Sequence, residues 1–329
     1  MNPQPARNEL NVVPINRRAM ACLEAAIGYQ ANPVVRVEAV EALESSGCPE
    51  GRPWIRTALT DEHPAVRFAA CVAVGRLGDD LAAGALRQRL GDEDASVRVA
   101  ALFARHRLGH KEGTGRIPTY LLHHEDVTVR RNAALLLGLL DEADAVRVLA
   151  RAMRDQDTGV RHHALEAMAR YGNSEAKQEL VFMTNAGIGS EEVFAIGALA
   201  ATSDPRYLDT FRYKLATGSH IETKLAAARA LGRLGSDEGL VIALRAVGAP
   251  PRPIRDPDDP PEGQRFRVRQ MAAAALGAIG STRALPALEQ LMEDPADPRL
   301  QVSGAKAALE ILAANRQEGL PFNSTGSGR

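Results

Sequence analysis

A Val-Arg-x-x-Ala motif and its variants return nine times along this chain at a nearly constant interval. That interval constrains the fold more than any other feature. Strong copies occupy 35–43, 66–74, 97–105, 129–137 and 160–168, and weaker ones 191–199, 223–231, 268–276 and 301–309. The second residue of each, taken as an anchor, is Arg36, Arg67, Arg98, Arg130, Arg161, Glu192, Lys224, Arg269 and Val302. Successive anchors lie 31, 31, 32, 31, 31, 32, 45 and 33 residues apart. Periods of this length mark stacked supersecondary units, each too small to bury a core alone.

The positions around the anchor have distinct physics. Three residues on, every copy carries alanine: Ala39, Ala70, Ala101, Ala133, Ala164, Ala195, Ala227, Ala272 and Ala305. Six residues on, eight of nine carry alanine, with Leu136 the exception. These positions share one face of a helix, so the stripe is expected to be buried and to let neighbouring backbones approach closely. Eleven residues on, Gly47, Gly78, Gly109, Gly172, Gly235 and Gly280 suit left-handed C-caps. Four before the anchor, Asn32, Asp94, Asp126 and Asp157 suit N-caps. An amphipathic helix precedes each motif. The chain therefore reads as all-α, a right-handed α-solenoid of about nine helical hairpins.

The expected organisation is a disordered or extended stretch over 1–16, one solenoid over 17–315 and a flexible tail over 316–329. The long interval holds a proline-rich insertion, 249–263, between the two helices of repeat eight. Repeat six lacks the Val-Arg pair, and Glu192 is expected to interrupt the arginine series, with a bend of the superhelix there.

Composition narrows the function classes. Apolar residues at 45% and charged ones at 25% fit a soluble globular chain, while aromatics at only 4% leave the packing to small aliphatic groups. A net charge of −1 gives no electrostatic pull toward nucleic acid or an anionic membrane. Cys22, Cys48 and Cys71 are too scattered for a disulfide frame or zinc site and read as reduced thiols. No apolar run reaches the roughly 18 residues that a membrane span needs, and 1–11 has no signal-peptide core. The expected compartment is the cytoplasm, with export left open should a leader have been removed.

The segment DASVRVAALFARHRLG at 94–109, with its neighbours in register, resembles the HEAT-repeat family in its short bacterial, phycobilisome-lyase-type form. The resemblance covers roughly 17–312. It implies the solenoid, and it implies that Arg36, Arg67, Arg98, Arg130 and Arg161, with Asp94, Asp126 and Asp157, form a structural ladder rather than a phosphate-binding row. Short repeats of this kind also occur in phycobilin lyases, which implies a lyase-like chaperone as one alternative. HEAT-like alkylpurine DNA glycosylases imply DNA binding as another, against which the near-neutral charge and single Trp54 argue.

Catalytic chemistry finds no motif. His106 and His110 are four apart, but Gly109 is expected to end the helix between them, and neither His123–His124 nor His162–His163 has a third ligand at suitable spacing. No cofactor, metal or catalytic residue is expected. The second helices of a solenoid usually line its concave side. Five residues past the anchor, Val72, Phe103 and Leu135 are expected to form an exposed apolar stripe there, beside Arg76, Arg107 and Arg170 at nine past and Asn132 and His163 at two past. Such a surface suits a protein segment with apolar anchors and acidic flanks. Arg252 and Arg255 in the insertion are a second candidate. The leading expectation is a non-enzymatic scaffold or adaptor that binds another protein, with neither nucleic acid nor membrane as partner.

Overall fold

The computed structural model describes residues 12–186, 189–248 and 258–317. Eighteen helices form nine hairpins among these residues: α1 (Val12–Ile27) and α2 (Pro33–Ser46), α3 (Arg52–Ala58) and α4 (Pro64–Leu77), and α5 (Ala83–Arg89) and α6 (Ala95–Arg107). Next come α7 (Ile117–His123) and α8 (Val127–Leu139), α9 (Ala145–Ala152) and α10 (Thr158–Arg170), and α11 (Ser174–Asn185) and α12 (Gly189–Ala201). The last are α13 (Leu208–Thr217) and α14 (Ile221–Arg233), α15 (Leu240–Gly248) and α16 (Pro261–Ile279), and α17 (Leu285–Met292) and α18 (Pro298–Gln317). No strand occurs among the described residues. Two boundaries differ from expectation. Helix α1 begins at Val12, because Ile15, Ala19 and Leu23 continue its buried face upstream. Helix α16 begins at Pro261, inside the expected insertion, since proline is well placed in a first helical turn. Arg252 and Arg255 lie outside the described residues.

The alanine stripe is the core. All nine alanines three past the anchor have no exposed surface. Side chains this short let consecutive second helices approach closely, and glycine tightens the approach further. A Cβ on Gly75 would sit 2.7 Å from the Ala104 backbone, and one on Gly232 equally close to Ile279.

The second helices pack in series from α2 to α18, and α18 then packs back onto α1 and α2. The array closes on itself. Arg18 of α1 pairs with Glu289 at 3.2 Å and Glu293 at 2.9 Å across the seam, and Gln270 of α16 donates to Glu38 of α2 at 3.1 Å. An open solenoid ends in a repeat with a polar outer face. Here α18 instead buries a broad face, with Leu300, Val302, Ala305, Ala307, Ala308, Leu309, Ile311 and Leu312 all buried.

Most hairpin ends share one pattern of caps. Asn32, Asp94, Asp126 and Asp157 accept from backbone N–H groups in the first turns of their helices, and His63 does the same through Nδ1. The six expected glycines all adopt positive φ. So do Asp141, at 57°, and Ser203, at 52°, which fill the same position in repeats four and six. A side chain there is strained. Ser203→Gly is therefore expected to raise unfolding free energy by about 1 kcal/mol, and Gly172→Ala to lower it by a similar amount. Urea unfolding followed by circular dichroism measures both, and opposite signs are required.

Candidate functional site

The anchor arginines are committed to structure. The Arg36 guanidinium forks onto Asp61 through two bonds of 2.8 Å, Arg67 onto Asp92 at 3.0 and 2.8 Å, and Arg130 onto Asp155 at 3.0 and 3.1 Å. Each also donates through Nη1 to carbonyls of the turn before its own helix, as Arg67 does to Asp61 and Glu62. One guanidinium thus ties its own turn to that of the next repeat, the planar fork matching the carboxylate. Burial pushes the Asp92 carboxyl upward, but bonds from Arg67 and the Asp94 N–H outweigh this and hold it below the ordinary range. The acceptors lie six residues before the following anchor. Asp94, Asp126 and Asp157 are caps instead, with Asp157 also held by Arg131 at 2.6 Å. Where that acceptor is missing, Arg98 reaches the Tyr120 hydroxyl and Arg161 the Thr158 hydroxyl instead, and both keep the two carbonyl bonds of their own turns. Repeat six reverses the polarity: buried Glu192 accepts from Lys214 Nζ and Thr223 Oγ1, both at 2.8 Å.

The expected apolar stripe does not form. Phe103 is fully buried, its ring edge beside the glycine gap at Gly75, and Val72 and Leu135 are half-buried. Arg76 is exposed but paired with Glu44 at 3.0 Å. Arg107 is exposed, whereas Arg170, Asn132 and His163 are half-buried. His106 bonds Glu142 at 2.9 Å and Thr114 at 3.2 Å, with His110 beyond the helix end. Burial raises the Cys22 thiol to about 11 and Cys71 to about 12, which leaves both unreactive.

A cavity of about 320 Å³ lies elsewhere on the inner face, lined by α2, α12, α14, α16 and α18. Its charged groups are Glu38 and Glu41 of α2, Arg229 and Arg233 of α14, and Lys306 and Glu310 of α18. Between them lie Val193, Leu225, Met271, Ala274 and Ala307. None of the eight inner-face residues picked out from sequence lines it. Glu41, Arg229, Ala274 and Ala307 nonetheless stand five past their anchors, so the offset pointed inward and the arc was misplaced. Ring closure is what brings α2 to this site, and no repeat pattern announces that. Arg229 and Arg233 contact solvent in the lumen and form no ion pair among the described residues, although Glu310 lies near enough to attract Arg229. Glu38 uses one carboxylate oxygen on Gln270 and leaves Oε2 enclosed without a partner.

The family profile described as HEAT repeats matches residues 21–104, 119–187 and 263–310, more than half of the chain. The chain belongs to the HEAT-repeat family. No curated protein sequence matches this HEAT-repeat chain. Among solved structures, the complex of CpcE and CpcF of phycocyanin lyase from Nostoc aligns at 19% identity and a TM-score of 0.45, covering 74% of this chain and 96% of that one. The Escherichia coli protein YibA aligns at 16% and 0.34, covering 94% and 99%. Human deoxyhypusine hydroxylase in complex with glycerol aligns at 18% and 0.36, covering 92% and 98%. None of these likenesses bears on activity. Among the described residues of this HEAT-repeat protein, no helix is long and apolar enough to cross a membrane.

Glu38 makes the cavity pH-sensitive. Desolvation raises its pKa from 4.5 to about 7, opposed by the Gln270 bond and by Arg299, while Glu41 and Asp297 add to the rise. An acid raised on folding stabilises the fold while protonated. That contribution is complete below 4.5 and is lost as pH climbs through about 7. Glu38→Gln is expected to match wild type near pH 4 and to exceed its stability near pH 8 by roughly 1 kcal/mol after solvent screening. Thermal melts at the two pH values measure the difference, and identical offsets at both would contradict this assignment.

Proposed function

We propose that this HEAT-repeat protein is a non-enzymatic interaction scaffold that binds a segment of another protein on the inner ridge of its second helices. Repeats of this family commonly mediate protein binding. The observation that carries the reading is the inner cavity, lined entirely by second helices and presenting the unpaired Arg229 and Arg233. Elsewhere in the ring, the guanidiniums of Arg36, Arg67 and Arg130 are consumed by the ladder. Arginines left free on a concave face orient and hold acidic partner groups, and an enclosed setting strengthens such pairs.

The docking segment is thus expected to carry carboxylates and to enter on the side of repeats one and six to nine. The test is affinity capture from the native lysate with wild type and an Arg229→Glu, Arg233→Glu variant, matched first for helical circular dichroism. A protein retained by wild type and lost from the variant supports the scaffold and its face. Phe103→Ala, by contrast, is expected to cost about 3–5 kcal/mol of stability and to leave capture by the folded fraction unchanged. Equal capture by the charge-reversed variant would contradict the assigned face.

A further inference from the structure

The cavity has two electrical poles, and they stand on different helices. Arg229 and Arg233 lie one turn apart on α14, while Glu38 and Glu41 lie one turn apart on α2. Helices α16 and α18 lie between the two walls, and Glu38 reaches across to Gln270 of α16 at 3.1 Å. No ion pair joins the poles, although Lys306 and Glu310 on α18 stand between them. The lining between is small and apolar. A ligand site has this composition: an apolar concavity with a few placed polar groups, here at the lower end of the usual volume range of about 300–1,000 Å³.

We infer that the ring binds a small dipolar molecule with a carboxylate at one end and a cation at the other, the class of a free basic amino acid. The carboxylate lies against the Arg229 and Arg233 guanidiniums, whose forked donors match it. The cation lies against Glu38 and Glu41. Two observations on this chain favour such a guest. Neither α14 guanidinium forms an ion pair among the described residues, although Glu310 attracts Arg229 from beyond ion-pair reach, and Glu38 Oε2 finds no hydrogen-bond donor within the protein. A simple anion leaves the glutamates unanswered, and a simple cation leaves the arginines so. Because α2 reaches the site only through closure of the ring, the guest also braces the seam between α18 and α2. Glu38 faces Glu41 on its own helix, Gln270 on α16, and Asp297 and Arg299 at the start of α18. An arriving cation draws it into the ionised state, so binding releases a proton.

The test is isothermal titration calorimetry on the full chain with free arginine and free lysine. Argininamide, which lacks the carboxylate, and glutarate, which lacks the cation, are the controls. Saturable binding of the amino acids is expected, weakened about tenfold by Arg229→Gln and again by Glu41→Gln. Proton release is read from the dependence of the heat on buffer, and binding strengthens between pH 6 and about 8. Should Arg229→Gln fail to fold, Arg229→Lys and Glu41→Gln carry the comparison. Absence of binding at millimolar concentrations, or equal binding of either control, overturns the inference. Binding of a lysine-terminated peptide but not of free lysine overturns it too and hands the site to a partner's carboxyl terminus. Protein capture measured without added amino acid is a separate readout, so the scaffold reading can survive or fail independently.

Discussion

Close approach of helix backbones along an alanine seam is the constraint on which the other features rest. Dispersion is short-ranged, and a seam of methyl groups gains it only when the axes come near. Nine alanines with no exposed surface show that this happens at every repeat. Once the inner helices converge so tightly, each hairpin turns by a large angle relative to its neighbour. The curvature that follows brings α18 against α2 and makes a ring from an array that would otherwise be open. The inner cavity is a product of that curvature, since its walls belong to hairpins at opposite ends of the chain.

The ladder serves a different purpose from the seam. Apolar stripes fix how far apart the repeats are but are tolerant of sliding. A guanidinium bound to two carbonyls of its own turn and a carboxylate of the next permits only one register. Paired charges in so enclosed a place are a weak source of net stability, and specificity is their better-attested use. Repeat six supports this view. Where the anchor becomes Glu192, the chain supplies Lys214 and Thr223 in exchange, so the link persists with its sign inverted.

Much of this was legible beforehand, for reasons that are local. Helix faces, caps and glycine termini depend on residues within one or two turns, so the nine hairpins and the six left-handed glycines could be read directly. Asp141 and Ser203 were missed because the geometry of the terminus, rather than residue preference, imposes their conformation. The ladder was foreseen and its acceptors were not, because Asp61, Asp92 and Asp155 act across repeats while the caps act within one. Phe103 was assigned to the wrong side. Its offset points to the lumen, but the missing side chain of Gly75 offers an aromatic ring a buried bed. Closure was the largest omission, although the breadth of the apolar face of α18 was its trace in the sequence.

A closed circuit changes what the two ends of this chain are. In an open array the outermost hairpins have one neighbour and unravel first, and evolution can lengthen or shorten the stack freely. Here every hairpin has two neighbours, α1 and α18 lie side by side, and the number of units is tied to the circumference. Insertion or loss of a single hairpin would break the circle, whereas a circular permutant, its present ends joined and opened at another turn between hairpins, would preserve every packing contact.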